Sequence, residues 1–275
     1  MSLDVSHLPS SLVLVGAGKM GGSMLEGWLK VGMKPAGVAV IDPRPSDEMT
    51  HFCADRGIAL NQGTPSAPEV LVLAIKPQML DEAAPRVNGL LGPRTLIVSI
   101  LAGKTIGDLK ARLPAADAVV RAMPNLPASI GRGATGAAAN AQVNEAQRMT
   151  ADALLRSNGV VEWLASEDLI DAVTAVSGSG PAYVFHLVEC LAEAGAAAGL
   201  PPDLAQRLAR ATVTGAGELL FRSDLPPETL RQNVTSPGGT TAAALEVLMA
   251  EPNGMKALMR AAVAAAKRRA AELSG

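Results

Sequence analysis

The chain has 275 residues, enough for one large domain or, more in keeping with its patterning, two of ordinary size. A formal net charge of -2 without a basic stripe argues against nucleic acid as a partner. Only Cys53 and Cys190 are present, far apart, which fits a reducing compartment and argues against a structural metal site.

Residues 1–11 lack both the basic start and the long apolar segment of a signal peptide, and no apolar run reaches membrane-spanning length. The expectation is a soluble, cytoplasmic protein. Hydrophobic residues make up 48% of the chain but aromatics only 2%, so the core is expected to consist of Ala, Val, Leu and Met. A surplus of apolar helix surface would favour self-association.

The apolar run Leu12–Val15 opens directly into Gly16-Ala17-Gly18-Lys19-Met20-Gly21, a G-x-G-x-x-G pattern. It reads as strand, tight turn and helix start. Gly16 allows the turn, Gly18 lets backbone approach a pyrophosphate, and Gly21 lets the helix pack on the strand. The helix start offers free N–H groups to that anion. Such a turn also joins strands to helices for steric reasons alone, so context decides. A helical pattern from Met20 to Leu29 ends at Gly32, a strand follows at Val38–Ile41, and Asp42 then stands where the dinucleotide fingerprint places its acidic residue.

Residues 46–56 form a short helix closed by Gly57. Apolar strands are expected at Val70–Ile75, ending in Lys76-Pro77, at Thr95–Ile100 and at Ala118–Ala122, which leads into Met123-Pro124-Asn125. Helices at roughly residues 78–87 and 106–112 separate them. Further strands are read at 133–139 and 160–163, around a helix from Asn144 to Asn158 with Gly159 as its C-cap. Strands alternating with helices predict an α/β fold, a doubly wound parallel sheet whose ligands bind beyond the carboxyl ends of the strands.

A boundary is placed near Ala165, dividing the chain into 1–165 and 166–275, because strand patterns vanish there and Ala-rich helical patterns take over. Residues 168–176 lead to Ser177-Gly178-Ser179-Gly180-Pro181, and helices follow at 182–198, 202–221 and from Pro227. The loop Ser236-Pro237-Gly238-Gly239 then feeds Thr240-Thr241 into a helix to Met249, and a last helix covers 254–273. Lys267-Arg268-Arg269 on that helix reads as a solvated basic face.

This second region offers little acid–base chemistry. No lysine lies between Lys110 and Lys256, and the one histidine there, His186, sits mid-helix among apolar neighbours and reads as a core or interface residue. Oxidation of a hydroxy acid needs a positioned base. Hydride delivery to an already protonated imine does not, because orientation and neutral hydrogen bonds suffice. The glycines of the 236–241 loop can turn several N–H groups toward a small carboxylate. The alternative is an ordinary capped loop with Thr240 or Thr241 as N-cap.

Taken together, Gly16–Gly21, Ala74-Ile75-Lys76-Pro77-Gln78, Arg121–Asn125, Ser177–Ala182 and Ser236–Thr241 resemble the pyrroline-5-carboxylate reductase family, in the family's order and over nearly the whole chain. The resemblance implies a Rossmann domain and a helical dimerisation domain, often assembled as five dimers. It implies reduction of 1-pyrroline-5-carboxylate to L-proline by NADPH, with NADH also accepted. Carried over by motif, Gly16, Ala17, Gly18, Lys19, Met20 and Gly21 hold the pyrophosphate. Ala74, Lys76, Pro77 and Asn125 border the ribose and nicotinamide. Ser236, Gly238, Gly239 and Thr240 bind the substrate carboxylate, and Thr241, the catalytic candidate, bonds the ring nitrogen. Asp42 is placed for a ribose 2′-hydroxyl and Arg44 for a 2′-phosphate. The Ser177–Pro181 segment would shape the site or simply cap a helix. Rival readings are a reductase of a related cyclic imino acid and a non-catalytic dinucleotide-binding sensor, the latter having no reason to keep the 236–241 loop.

Overall fold

The computed structural model describes residues 5–274, so the first part of the N-terminal reading, Met1 to Asp4, lies outside the described residues. In chain order the first part comprises β1 (Leu12–Val15), α1 (Lys19–Lys30), β2 (Val38–Ile41), α2 (Asp47–Arg56), β3 (Ala59–Leu60), β4 (Val70–Leu73), α3 (Leu80–Asn88), β5 (Leu96–Ser99), α4 (Ile106–Arg112), β6 (Ala118–Met123), β7 (Gly133–Ala139), α5 (Glu145–Arg156) and β8 (Gly159–Trp163). Then come α6 (Ile170–Val173), α7 (Gly180–Ala197), α8 (Pro202–Arg222), α9 (Pro227–Asn233), α10 (Thr240–Leu248) and α11 (Met255–Ser274).

The strands form one eight-stranded sheet in the order β3-β2-β1-β4-β5-β6-β7-β8. Every neighbouring pair is parallel except β6 and β7, which run antiparallel. The expected doubly wound parallel sheet is thus present, with this one antiparallel pair within it. The link from β6 to β7 holds only a 3-10 turn, Leu126–Ile130, too short for the crossover that a parallel neighbour needs.

Strand alternation divides the core. Leu12, Leu14, Val70 and Val72 face one side, where they meet Met24, Leu25 and Trp28 of α1, Cys53 of α2 and Leu154 of α5. Val13, Val15, Leu71 and Leu73 face the other, against Leu80, Ala84 and Val87 of α3 and Leu109 of α4. Helices thus cover both faces, as a doubly wound sheet requires. Trp28 is fully buried and its indole N–H donates to the Leu154 carbonyl at 2.9 Å. Burial also pushes the Cys53 thiol up from its usual value, partly countered by the Arg56 charge, which lowers it.

Strands and helices depart from expectation where one local rule meets another. β4 stops at Leu73 rather than Ile75, because the chain turns there beside the glycine loop, and Pro77 instead starts a 3-10 turn. Gly159 is not the C-cap of α5, which ends at Arg156. It opens β8 at φ +146°, and a Cβ there would lie 2.0 Å from the Gly133 carbonyl oxygen, so only glycine lets β7 and β8 pair. The two-residue β3 has no pattern of its own, and its pairing with β2 alone makes it a strand.

The chain divides into two compact units, one holding the residues through Gly178 together with those from Lys267 onward, the other holding Ser179–Ala266. Composition changes earlier, at Ala165. In the second unit α7 and α8 pack at small residues, with Gly195 against Ala205, and Ala205 and Ala209 are buried. Large apolar side chains there stay exposed, including Val184, Phe185, Leu187 and Leu191 on α7. No helix among the described residues is long and apolar enough to cross a membrane.

Candidate active site

In the first unit the sequence-predicted residues gather just past the carboxyl ends of the strands: Gly16 after β1, Asp42 after β2, Ala74 after β4, and Asn125 after β6. The three motif glycines are required for different reasons. Gly16 has φ +91°, and a Cβ on it would lie 2.8 Å from the Ala74 carbonyl. A Cβ on Gly21 would lie 2.2 Å from the Gly16 oxygen. Those two serve packing of α1 on the strands. Gly18 is exposed, has φ -68°, and a Cβ there would meet nothing within 4 Å. No part of the described chain requires glycine at 18, and the open space beside it leaves room for the close approach of a ligand.

Gly18 is also the N-cap of α1 and supplies no side-chain cap, so the first-turn amides of that helix keep their N–H groups for an anion. Lys19 is exposed beside them and Met20 half-buried. The geometry fits a dinucleotide pyrophosphate. Ala17 is buried and its N–H donates to Asp42 Oδ2 at 2.8 Å. The other oxygen, Asp42 Oδ1, accepts the Arg44 N–H at 2.9 Å. Arg44 is exposed, and its guanidinium has no ion-pair partner among the described residues. Lys76 is exposed at the start of the 3-10 turn opened by Pro77.

Asn125 is buried, and its side chain is used internally. Its Oδ1 accepts the Ala134 N–H at 2.9 Å and its Nδ2 donates to the Ser177 carbonyl at 3.0 Å. The residues that the sequence presents as a glycine-serine loop before α7 prove largely helical. Thr174–Gly178 is a π-helical turn, Ser177 Oγ donates to the Val173 carbonyl at 3.0 Å, and Ser179 at the N-cap position of α7 makes no capping bond. π-Turns often mark functional positions. The reading of that segment as a helix cap is therefore replaced.

Glu167 was not legible as a site residue. Its Oε1 accepts both Arg121 Nη1 and the Ile106 N–H, each at 2.8 Å, and the Arg121 side chain is only 6% exposed. One carboxylate thus ties β6, the start of α4 and the segment after β8 together. No sequence pattern could show it, since the partners lie 46 and 61 residues apart.

In the second unit, residues 236–241 form a turn into α10. Gly239 N–H donates to the Ser236 carbonyl at 3.0 Å and Gly238 has φ +69°. The N-cap is Gly239, with no side-chain capping bond. Thr240 and Thr241 are therefore the first residues of the helix and not its caps, which corrects the capped-loop reading. Among the described residues their hydroxyls hold no hydrogen bond, and the first-turn amides lack side-chain acceptors, an arrangement suited to a small carboxylate. His186, expected in a core or interface, is exposed on this chain, with Nδ1 2.9 Å from Glu189 Oε2 and Nε2 3.5 Å from Cys190 Sγ.

Comparison with known proteins covers both halves. The family described as pyrroline-5-carboxylate reductase dimerisation matches residues 167–273, and the one described as NADP oxidoreductase, coenzyme F420-dependent, matches residues 11–103. The chain is 40% identical to pyrroline-5-carboxylate reductase of Pseudomonas aeruginosa over 266 residues, 96% of each chain. With that of Synechocystis it shares 45% over 214 residues, 78% of each. The solved structure of a pyrroline-5-carboxylate reductase from Coxiella burnetii superposes with a TM-score of 0.89 at 35% identity, covering 97% of this chain and 99% of that one. A Plasmodium falciparum pyrroline carboxylate reductase with NADP bound gives 0.77 at 27% identity, covering 96% and 98%. By identity and coverage, this chain belongs to the pyrroline-5-carboxylate reductase family.

Proposed function

We propose that this protein reduces 1-pyrroline-5-carboxylate to L-proline with NAD(P)H, the last step of proline synthesis, and that NADPH is favoured over NADH. The observation that carries the reading is the start of α10, where glycine stands at the N-cap and two threonine hydroxyls are unbonded among the described residues. Ser236, Gly238, Gly239 and Thr240 hold the substrate carboxylate through hydroxyl and N–H groups. Thr241 hydrogen-bonds the ring nitrogen. The nicotinamide, when bound, supplies hydride to the imine carbon. The proton is already on the ring nitrogen, so the carbon–nitrogen double bond becomes an amine without a proton donor from the protein, and Thr241 only orients the ring and stabilises its changing charge.

The cofactor lies along Gly16–Gly21, with Ala74, Lys76, Pro77 and Asn125 shaping its ribose and nicotinamide end. The glycine of this loop that packing does not demand, Gly18, supports that placement. The functional boundary falls near Ala165, with residues 1–165 for the dinucleotide and 166–275 for dimerisation and substrate. The working form is a cytoplasmic homodimer that can assemble further as five dimers, and both subunits complete each site. Neither nucleic acid nor membrane is a partner.

The deciding assay follows nicotinamide absorbance after addition of pyrroline-5-carboxylate, beside its six-membered homologue. Rapid loss with the five-membered ring is expected. Faster turnover of the six-membered ring would assign the protein to the related imino acid, and no turnover of either would leave a dinucleotide-binding sensor.

A further inference from the structure

An acidic residue at the end of the second strand ordinarily accepts the ribose 2′-hydroxyl and repels a 2′-phosphate, so it selects NADH. Asp42 stands at that place, yet its carboxylate is already engaged. One oxygen accepts the Ala17 N–H of the glycine turn at 2.8 Å, and the other accepts the Arg44 N–H at 2.9 Å, closing an Asx-type turn. Two backbone N–H dipoles therefore offset its charge, in bonds strengthened by that charge.

The backbone of Asp42 is fixed in turn by Asn61. The Asp42 N–H donates to Asn61 Oδ1 at 3.0 Å, and Asn61 Nδ2 donates to the Asp42 carbonyl at 2.7 Å. Asn61 sits just past β3 with φ +61°, in the left-handed region that asparagine tolerates better than most residues, and its own N–H donates to the Val40 carbonyl at 2.8 Å. The side chain of Asn61 thus acts as one more rung beside β2. What it holds in place is the residue that joins the glycine turn to the turn carrying Arg44.

We propose that Asp42 is a brace and not a cofactor discriminator: held by Asn61, its carboxylate ties the glycine turn to the Arg44 turn, and Arg44 alone selects the 2′-phosphate. The proposal rests on the reading that the dinucleotide lies along Gly16–Gly21. It inverts the usual expectation, because removing the acid loosens the glycine turn that every dinucleotide needs and relieves little repulsion. Asp42 and Asn61 are positioning residues for NADPH and NADH alike.

The test is a fluorescence titration of NADPH and of NADH on the full-length protein without substrate, with thermal unfolding of each variant alongside. Asp42→Ala is expected to weaken both dinucleotides by about tenfold and to leave their ratio within about threefold. Tighter NADPH binding with weaker NADH binding would overturn the brace. Where Asp42→Ala loses its fold, Asp42→Asn keeps the volume and one acceptor oxygen, and the same two directions decide. Asn61→Gly keeps the left-handed backbone and removes the amide. It is expected to act in the same direction, and the double variant with Asp42→Ala to lose no more than about twofold beyond Asp42→Ala itself; fully additive losses would overturn the link through Asn61. Arg44→Ala is expected to weaken NADPH by about tenfold or more and NADH hardly at all, and an equal effect on both would remove Arg44 from selection. Gly18→Ala checks the underlying placement separately, because the added methyl meets no protein atom within 4 Å. Unchanged binding of both dinucleotides in that variant would sink the loop assignment itself, whatever Asp42 does.

Discussion

Thr241 is the second residue of α10, and because Gly239 holds the cap position, its hydroxyl is not spent on the helix. Thr241→Ala is therefore expected to leave thermal stability nearly unchanged, whereas loss of a cap would cost about 1 kcal/mol. Turnover of pyrroline-5-carboxylate is expected to fall by about 10- to 100-fold, equivalent to roughly 1 to 3 kcal/mol of lost transition-state hydrogen bonding. Thr241→Ser keeps the hydroxyl and is expected to retain much of the activity. Parent turnover with an unchanged Michaelis constant in Thr241→Ala would remove the residue from the chemistry. The site residues that could be read from sequence stand in short recognisable motifs: the glycine turn, and the Gly238-Gly239 pair before a helix. Asn61 could not be read, because its role depends on a bond across 19 residues to Asp42. Asn125 was legible as a position at the end of β6, but not as a bridge from Ala134 to Ser177, which only the antiparallel return of β7 and the π-turn create.

At the scale of elements, the join between β6, α4 and the segment after β8 rests on Glu167. Thr105 caps α4 through a capping box with Asp108, whose carboxyl is held below its usual value: burial raises it, but the Thr105 N–H and hydroxyl, Lys104 and Arg112 together outweigh that. The Ile106 N–H at the same helix start is satisfied by Glu167 instead. Glu167→Ala would leave Arg121 buried without its counter-charge and Ile106 without its acceptor, and is expected to cost about 3 kcal/mol in denaturant unfolding. The double change Arg121→Met with Glu167→Leu is expected to recover most of that, since an apolar pair carries no unpaired charge. A loss under about 1 kcal/mol for Glu167→Ala would show that Arg121 is stable there alone. Elements with local signals were legible in full: α4 spans 106–112 as its spacing predicts, and α2 runs from the Ser46 cap to Gly57 at φ +65°. Those set by distant partners were not. The direction of β7 follows from the length of a loop, β3 from its neighbour, and the glycine at 159 from the close approach of two strands.

The second unit has the composition of a core without one of its own. α7 has no fully buried residue, and Val184, Phe185, Leu187 and Leu191 along it are 45%, 56%, 40% and 42% exposed. Full burial of such a side chain gains roughly 1.5 to 3 kcal/mol, of which about half remains available to each of these half-exposed residues, so several on one helix still supply a drive to self-associate. The match of residues 167–273 to a dimerisation family supports oligomerisation through this surface. Sedimentation at assay concentration is expected to show a dimer or larger. Phe185→Glu sets a charge within that apolar surface and is expected to shift the protein toward monomer. If each site needs both subunits, the monomer loses reductase activity, while dinucleotide binding, which we propose lies in the first unit, survives within about threefold. A Phe185→Glu monomer with full turnover would refute the shared site, and a parent protein that sediments as an active monomer would refute the interface as well.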